Sequence, residues 1–304
     1  MMVHMTFGAT STTDDVMAGI DLSGKTAVVT GASAGLGVET TRALAAAGAH
    51  VVMAVRDKAK GEAAAERVRA GAAGASVELG QLDLASLDSI RTFVAWLSER
   101  QPRIDLLINN AGVMAPPLLR TTEGFELQMG TNHLGHFLLT NVLTPAITAA
   151  APARVINLSS RGHMRSDIRW DDPHWRTTEY DKWEGYGQSK TANILFTVEL
   201  DRRLHDEGVR AFAVHPGVIM TELSRHLSRD DVGTLRSRSP GGRLEFKTTE
   251  QGAATTVWGA TSPDLDGNGG LYLDDCQIGE PAPYALDPDS AARLWTWSEG
   301  EVGL

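Results

Sequence analysis

Residues 27–37 read AVVTGASAGLG, and the ten that follow, VETTRALAAA, have the composition of a helix. AVVT is continuously apolar, the pattern of a strand buried on both faces rather than one with a wet side. Glycines then fall at positions 31, 35 and 37. At a strand-to-helix turn, Gly31 permits the tight bend, Gly35 lets backbone approach a pyrophosphate, and Gly37 lets helix and strand pack closely. The helix N-terminus adds N–H groups and the positive end of its dipole, so the turn, with Ser33 and Leu36 inside it, reads as an anion cradle. Glycine spacing alone fits an ordinary turn equally well; its weight comes from following the first strand of a β-α-β unit.

The rest of the chain repeats that unit. Short β-rich runs at 50–55, 77–83, 106–109, 154–159 and 210–215 alternate with helical patterns at 57–69, 86–100, 128–143 and 186–206, and residues 270–273 supply a seventh strand. Such alternation predicts right-handed crossovers. The expected fold is α/β: a single doubly wound Rossmann-type domain, with a seven-stranded, mostly parallel sheet and helices on both faces. It spans residues 22–280, between a flexible N-terminal arm at 1–21 and a C-terminal tail at 281–304. Segments 161–185, rich in Trp, Asp and Arg, and 222–247, rich in Arg, Ser and Gly, interrupt the rhythm. Both follow strands on the carboxyl side, where such sheets bind ligands, and read as walls of a substrate site or, more plainly, as surface insertions.

Sheets of this type that bind NAD place a carboxylate at the end of the second strand, about 20 residues after the glycines, to hold the ribose hydroxyls. Here that strand ends Ala54-Val55-Arg56. Val55 cannot accept those bonds, whereas Arg56 offers a planar cationic fork suited to a 2′-phosphate. NADP(H) is therefore the preferred cofactor; NAD(H) stays open if Asp57 takes the ribose instead.

A net charge of -10 opposes binding to nucleic acid or to an anionic membrane surface. With 42% hydrophobic and 22% charged residues, the chain can bury a sizeable core. Cys276 is the single cysteine, which excludes an intramolecular disulfide and a cysteine zinc site. No run reaches the ~18 apolar residues of a membrane span, and the first twenty residues lack the pattern of a signal peptide. The expectation is a cytoplasmic protein with a small-molecule partner, no nucleic acid, no membrane and no metal.

Seven motifs in order resemble the short-chain dehydrogenase/reductase family over residues 22–276: TGASAGLG at 30–37, LDL at 82–84, NNAG at 109–112, NHLGHF at 132–137, NLSS at 157–160, YGQSK at 186–190 and HPGVIMT at 215–221. AVRD and GTNHLGHFLLT are similar to the branch holding retinol dehydrogenases, WW-domain oxidoreductases and protochlorophyllide reductases. Tyr186 and Lys190 stand four apart on a predicted helix, so both side chains share one face. The resemblance implies that Tyr186 passes a proton while nicotinamide passes a hydride. An unperturbed phenol near pKa ~10 is a poor base, and a neighbouring ammonium and oxidised nicotinamide would lower it.

The family's pattern further implies that Lys190 bonds the nicotinamide ribose, that Ser160 donates to the substrate oxygen, and that Asn132 holds a water linking Lys190 to solvent. Asp83 and Leu84 would contact adenine, Asn110, Ala111 and Gly112 the adenosine ribose, and Pro216, Gly217, Val218 and Thr221 the nicotinamide amide and pyrophosphate. The gap between Ser160 and Tyr186 is longer than the family's usual spacing, as in the retinol dehydrogenase branch. The implied substrate is an apolar, fairly large ketone, aldehyde or alcohol, with Met114, Trp170, Trp175, Trp183, Leu223 and Leu227 as candidate pocket residues. The family often forms homodimers or homotetramers, which the tail and insertion could block.

Two other functions compete: a protochlorophyllide reductase-like double-bond reductase, disfavoured by the scarcity of cysteine, and a catalytically silent dinucleotide sensor, disfavoured because Asn132, Ser160, Tyr186 and Lys190 are all present. His133 and His136 lack a third metal-ligand motif, so helix packing is their expected role. His163 either touches substrate or makes a loop hydrogen bond. Trp295 and Trp297 either dock the tail or cap a pocket or interface.

Overall fold

The structure, a computed structural model, describes residues 7–219, 231 and 246–304. In chain order it runs α1 (Thr13–Met17), β1 (Thr26–Thr30), α2 (Gly35–Ala46), β2 (His50–Val55), α3 (Lys58–Gly71), β3 (Ser76–Gln81), α4 (Leu87–Ser98) and β4 (Leu106–Asn109). A wide π-turn (Met129–Leu134) then leads into α5 (Gly135–Thr148), followed by β5 (Ala153–Leu158), α6 (Lys182–Leu204) and β6 (Val209–His215). Helix α7 (Thr249–Thr261), β7 (Leu271–Asp274), β8 (Gln277–Ile278) and α8 (Pro288–Val302) complete it. The strand order is β3-β2-β1-β4-β5-β6-β7-β8, parallel throughout except that β8 runs antiparallel to β7. The doubly wound fold is as expected.

An eighth strand replaces the expected seven. It is two exposed residues reached through a tight turn in which Asp275 and Cys276 both adopt positive φ, too short to leave a pattern in sequence.

Neighbouring strand residues point to opposite faces, and each face has its own core. Val28, Val52, Leu107 and Val155 pack with Phe93, Phe137, Leu195 and Trp295 from α4, α5, α6 and α8. On the other face, Val29, Met53, Ile108 and Val214 pack with Leu44, Val68 and Val257 from α2, α3 and α7. This double burial is why the strands read as unbroken apolar runs.

The arm expected to be flexible carries α1. Thr12 and Asp15 form a capping box, Val16 and Met17 are buried in the α2 and α7 face, and Arg42 of α2 grips Asp14 at 2.6 Å. Residues 12–17 are thus docked, because two buried apolar side chains and an ion pair hold them. The tail docks as well: Trp295 stands edge-on to Phe137, ring centroids 5.0 Å apart, with Arg203 over its ring. Helix α6 begins four residues before the expected start because Asp181 caps it, accepting from the N–H groups of Trp183 and Glu184. No described helix is long and apolar enough to cross a membrane.

Candidate active site

The turn after β1 is shaped by its glycines. Gly31 has φ +66°, and a Cβ there would lie 2.9 Å from Ala111 Cα; one at Gly37 would lie 2.5 Å from the carbonyl of Gly31. The chain is therefore folded onto itself where only backbone fits, and it opens on a cleft of about 300 Å³. Eleven of the residues singled out in the sequence line that cleft: Gly31, Ser33, Gly35, Leu36, Gly37, Arg56, Asp83, Leu84, Asn110, Ala111 and Gly112. Asp57, Lys60 and Thr131 line it too. The Asp57 carboxylate caps α3, accepting from Lys60 N at 3.1 Å, so one of its oxygens is spent away from any ribose. Asn110 is spent similarly: its Nδ2 donates to the carbonyl of Thr30 at 2.7 Å, tying the β4 turn to β1. Asp83 accepts from Ala85 N at 3.0 Å.

Beyond Gly112 lies a second group of side chains. A Cβ on Gly112 would be 3.2 Å from Asn132 Oδ1 and 3.7 Å from Lys190 Nζ, so this glycine forms the partition between the cleft and the helices. Lys190 Nζ sits 5.7 Å from the centre of the Tyr186 ring and donates to the carbonyl of Leu158 at 2.8 Å. Ser160 Oγ accepts from Gly162 N at 3.0 Å, which leaves its own proton to donate elsewhere. The ring of Tyr186 lies flat enough against Gly162 that a Cβ there would be 2.8 Å from its Cε1. Burial pushes the Tyr186 phenol up to about 12, partly offset by its hydrogen bond with Ser160. Burial lowers the Lys190 ammonium to about 7. The lowering of the phenol expected from a neighbouring ammonium is not seen; desolvation sets the direction, and only Ser160 opposes it.

A short chain dehydrogenase family model matches residues 25–171. Retinol dehydrogenase 13 of Homo sapiens is 45% identical over 93% of this chain and 86% of its own length. The chain belongs to the short-chain dehydrogenase/reductase family. A probable oxidoreductase of Streptomyces lividans is 41% identical over 91% of this chain and 97% of its own. Among solved structures, a protein of Mycobacterium paratuberculosis aligns with TM-score 0.76 at 38% identity, covering 94% of this chain and 97% of that one. RhlG of Pseudomonas aeruginosa, solved as an NADP active-site complex, aligns with TM-score 0.67 at 26% identity over 87% and 98% of the two chains. Within the family, whose members bind NAD(P), this chain falls in the retinol dehydrogenase branch and is an oxidoreductase acting on CH–OH and C=O groups.

Other positions in this dehydrogenase/reductase differ from the sequence expectation. The Asn132 side chain is spent on structure: Oδ1 accepts from Val113 N at 2.8 Å, and Nδ2 donates to Val113 O and to Ser189 Oγ. Any water it holds would have to use its main-chain carbonyl. Pro216, Gly217 and Val218 follow β6, and the next residue, Ile219, meets Gly252 beside Leu36 of the glycine turn; Thr221, Leu223 and Leu227 fall outside the described residues. Trp175, expected in a substrate pocket, is buried under Arg169 at 4.0 Å, and Trp170 lies under Arg293 at 4.0 Å, so both are packing residues. His163 makes the loop bond: buried, it donates from Nδ1 to Ser160 O at 2.6 Å and accepts at Nε2 from Ala282 N. Cys276 is buried beside Thr255, its thiol pushed up to about 11 by burial. Gly162 was missed in the sequence; its only signal is its place two residues after Ser160.

Proposed function

We propose that the chain is an NADP(H)-dependent carbonyl reductase and alcohol dehydrogenase for apolar, fairly large substrates, with Tyr186 as proton donor and acceptor. The observation that carries this reading is the convergence of Tyr186, Lys190 and Ser160 across Gly112 from a glycine-lined cleft. The cleft suits a dinucleotide: closely packed glycine backbone faces a helix N-terminus, and Arg56 and Lys60 put two cationic side chains on its rim. Gly31, Ser33, Gly35, Leu36 and Gly37 would hold the pyrophosphate, and Arg56 the 2′-phosphate. When bound, the nicotinamide would supply or accept the hydride.

The protein's own part is proton handling at the substrate oxygen. Tyr186, protonated at neutral pH as an ordinary phenol is and held more firmly so by burial, would donate to the oxygen as a carbonyl becomes an alcohol. Ser160, whose Oγ already accepts from Gly162 N, would turn its hydroxyl toward the same oxygen and stabilise developing alkoxide charge. Lys190, held one helical turn from Tyr186, would bond the nicotinamide ribose, and Asn132's carbonyl would hold the water that returns protons from solvent. An apolar substrate is supported by exposed apolar side chains, Leu118, Leu119, Met164, Val218 and Phe246, in segments leaving the carboxyl ends of β4, β5 and β6.

The test is a panel of ketones, aldehydes and alcohols assayed with NADPH, NADH and their oxidised forms. Expected is NADPH-preferring turnover of a long-chain or polycyclic carbonyl, and in Tyr186→Phe a loss of about 100-fold or more in kcat with dinucleotide binding retained. Equal rates for parent and variant would sink the assignment.

A further inference from the structure

His136 lies one helical turn beyond Asn132, at the start of α5, fully buried. Its Nδ1 is 3.0 Å from the main-chain carbonyl of Asn132, which can only accept, so Nδ1 carries the proton. Burial keeps the imidazole neutral, with its basicity lowered to about 4, and Nε2 therefore accepts. The group 2.9 Å from Nε2 is the Thr30 hydroxyl, closer than that hydroxyl's other acceptor, Ile108 O, at 3.4 Å. Thr30 Oγ1 in turn accepts from the N–H groups of Asn110 at 2.9 Å and Ala111 at 3.0 Å. One unbroken path of hydrogen bonds thus leads from the turn that walls the cleft to the backbone of Asn132.

The path begins in an unusual stretch of helix. Over Met129–Leu134 the turns are widened, Gly135 N reaching five residues back to Gly130 O. Such widening is commonly found at functional sites and loosens the ordinary ladder of backbone bonds. At the carbonyl of Asn132, inside that stretch, the imidazole of His136 adds a side-chain donor that helps fix its direction. Asn132's side chain meanwhile is fastened to Val113, the residue after Gly112, so both ends of Asn132 are tied to the same turn.

We infer that His136 is a positioning residue: through Thr30 it ties the carbonyl of Asn132 to the Asn110–Ala111 turn, so that the cofactor wall and the Tyr186–Lys190 centre move as one unit. It touches no reacting atom. Its loss would let the Asn132 carbonyl and the cofactor turn drift independently, which weakens dinucleotide binding and slows proton transfer together while leaving the substrate's apolar contacts alone. The inference rests on the proposed function for its kinetic half and stands without it for its binding half.

The experiment uses the full chain with His136→Phe, His136→Asn, Thr30→Val and the double variant His136→Phe/Thr30→Val. NADPH affinity is read by fluorescence titration, and kcat and KM on one accepted carbonyl. His136→Phe is expected to lower kcat about 10- to 100-fold and to weaken NADPH binding several-fold, with substrate KM nearly unchanged. His136→Asn, whose Nδ2 can donate where Nδ1 did, should recover much of kcat. The double variant should be no worse than the poorer single one, since both break the same path. A His136→Phe enzyme within about twofold of the parent in both readouts overturns the inference, as does failure of His136→Asn to improve on a folded His136→Phe. If His136→Phe does not fold, His136→Leu replaces it in the cycle, and additive losses in His136→Leu/Thr30→Val refute the path. A chain with no turnover on any carbonyl would sink the proposed function, yet the NADPH titration would still test the link.

Discussion

Gly162 shows how one missing methyl group can set the packing of the Tyr186 ring against Ser160. Its N–H feeds Ser160 Oγ, and its Cα faces the Tyr186 ring so closely that a Cβ would sit 2.8 and 2.9 Å from Cε1 and Cδ1. The neighbour that would have to yield is a buried ring on a helix, with the carbonyl of Gly162 itself already lodged against Gly187. Gly162→Ala should therefore push the phenol away from Ser160 rather than relax elsewhere. The expected result is a kcat lowered about 10- to 100-fold, since displacements near 1 Å have that effect, with stability reduced by about 1–3 kcal/mol. Dinucleotide affinity should be nearly unchanged, because Gly162 packs on Tyr186 and Ser160 rather than on the glycine turn. Steady-state kinetics beside an NADPH titration separates the two; a variant with parental kcat would show that the ring has room to spare.

At the scale of elements, what could be read in the sequence was whatever local pattern determines. The glycines at 31, 35 and 37 and the Tyr186–Lys190 pair carry their meaning in their spacing, and the two-faced burial of β1 to β6 is written in runs such as VVMAV. What could not be read depends on partners far away in the chain. The π-turn at Met129–Leu134 has no sequence signal, Asn132's side chain is used up by Val113 and Ser189, and α1 is held by Arg42 and Glu39 of α2. Helix α8 is the clearest case. Its Trp295 enters the space between Phe137 of α5 and Phe196 of α6, with centroids 5.0 and 5.8 Å away, and Ser298 meets the buried His133 at 2.8 Å. The tail therefore closes one face of α5 and of α6, the helix that carries Tyr186 and Lys190. Trp295→Ala should cost about 3–5 kcal/mol, a large part of the stability of an ordinary domain. Urea unfolding followed by tryptophan fluorescence and by circular dichroism measures it. A loss below about 1 kcal/mol would mean that α8 lies on the surface without supporting it.

Across the whole molecule, the buried titratable groups fix how stability depends on pH. His133 and His215 are held down to about 3 and His136 to about 4, each chiefly by burial. In the unfolded chain all three return to about 6.5, so below that pH the unfolded state binds more protons and stability falls as pH falls. Each such proton contributes about 1.4 kcal/mol per pH unit, and three give a slope approaching about 4 between roughly pH 6 and 4. Lys190 acts in the same direction higher up: lowered to about 7 in the fold, it protonates in the unfolded chain from about 10.5 downward, so stability rises with pH from 7 to 10.5. Cys276 and Tyr186 oppose it. Raised to about 11 and about 12, they keep protons that the unfolded chain loses above about 9 and 10, which removes stability at the alkaline end. The sum predicts a maximum near pH 9 rather than near the isoelectric point of about 5.4, with a steep decline below pH 6. Urea midpoints measured from pH 4.5 to 10.5 without cofactor trace this curve. Replacing His215 by Asn, which removes one of these protons, should flatten the acid limb by up to about 1.4 kcal/mol per pH unit, and an unchanged slope would mean that His215 is protonated in the folded chain.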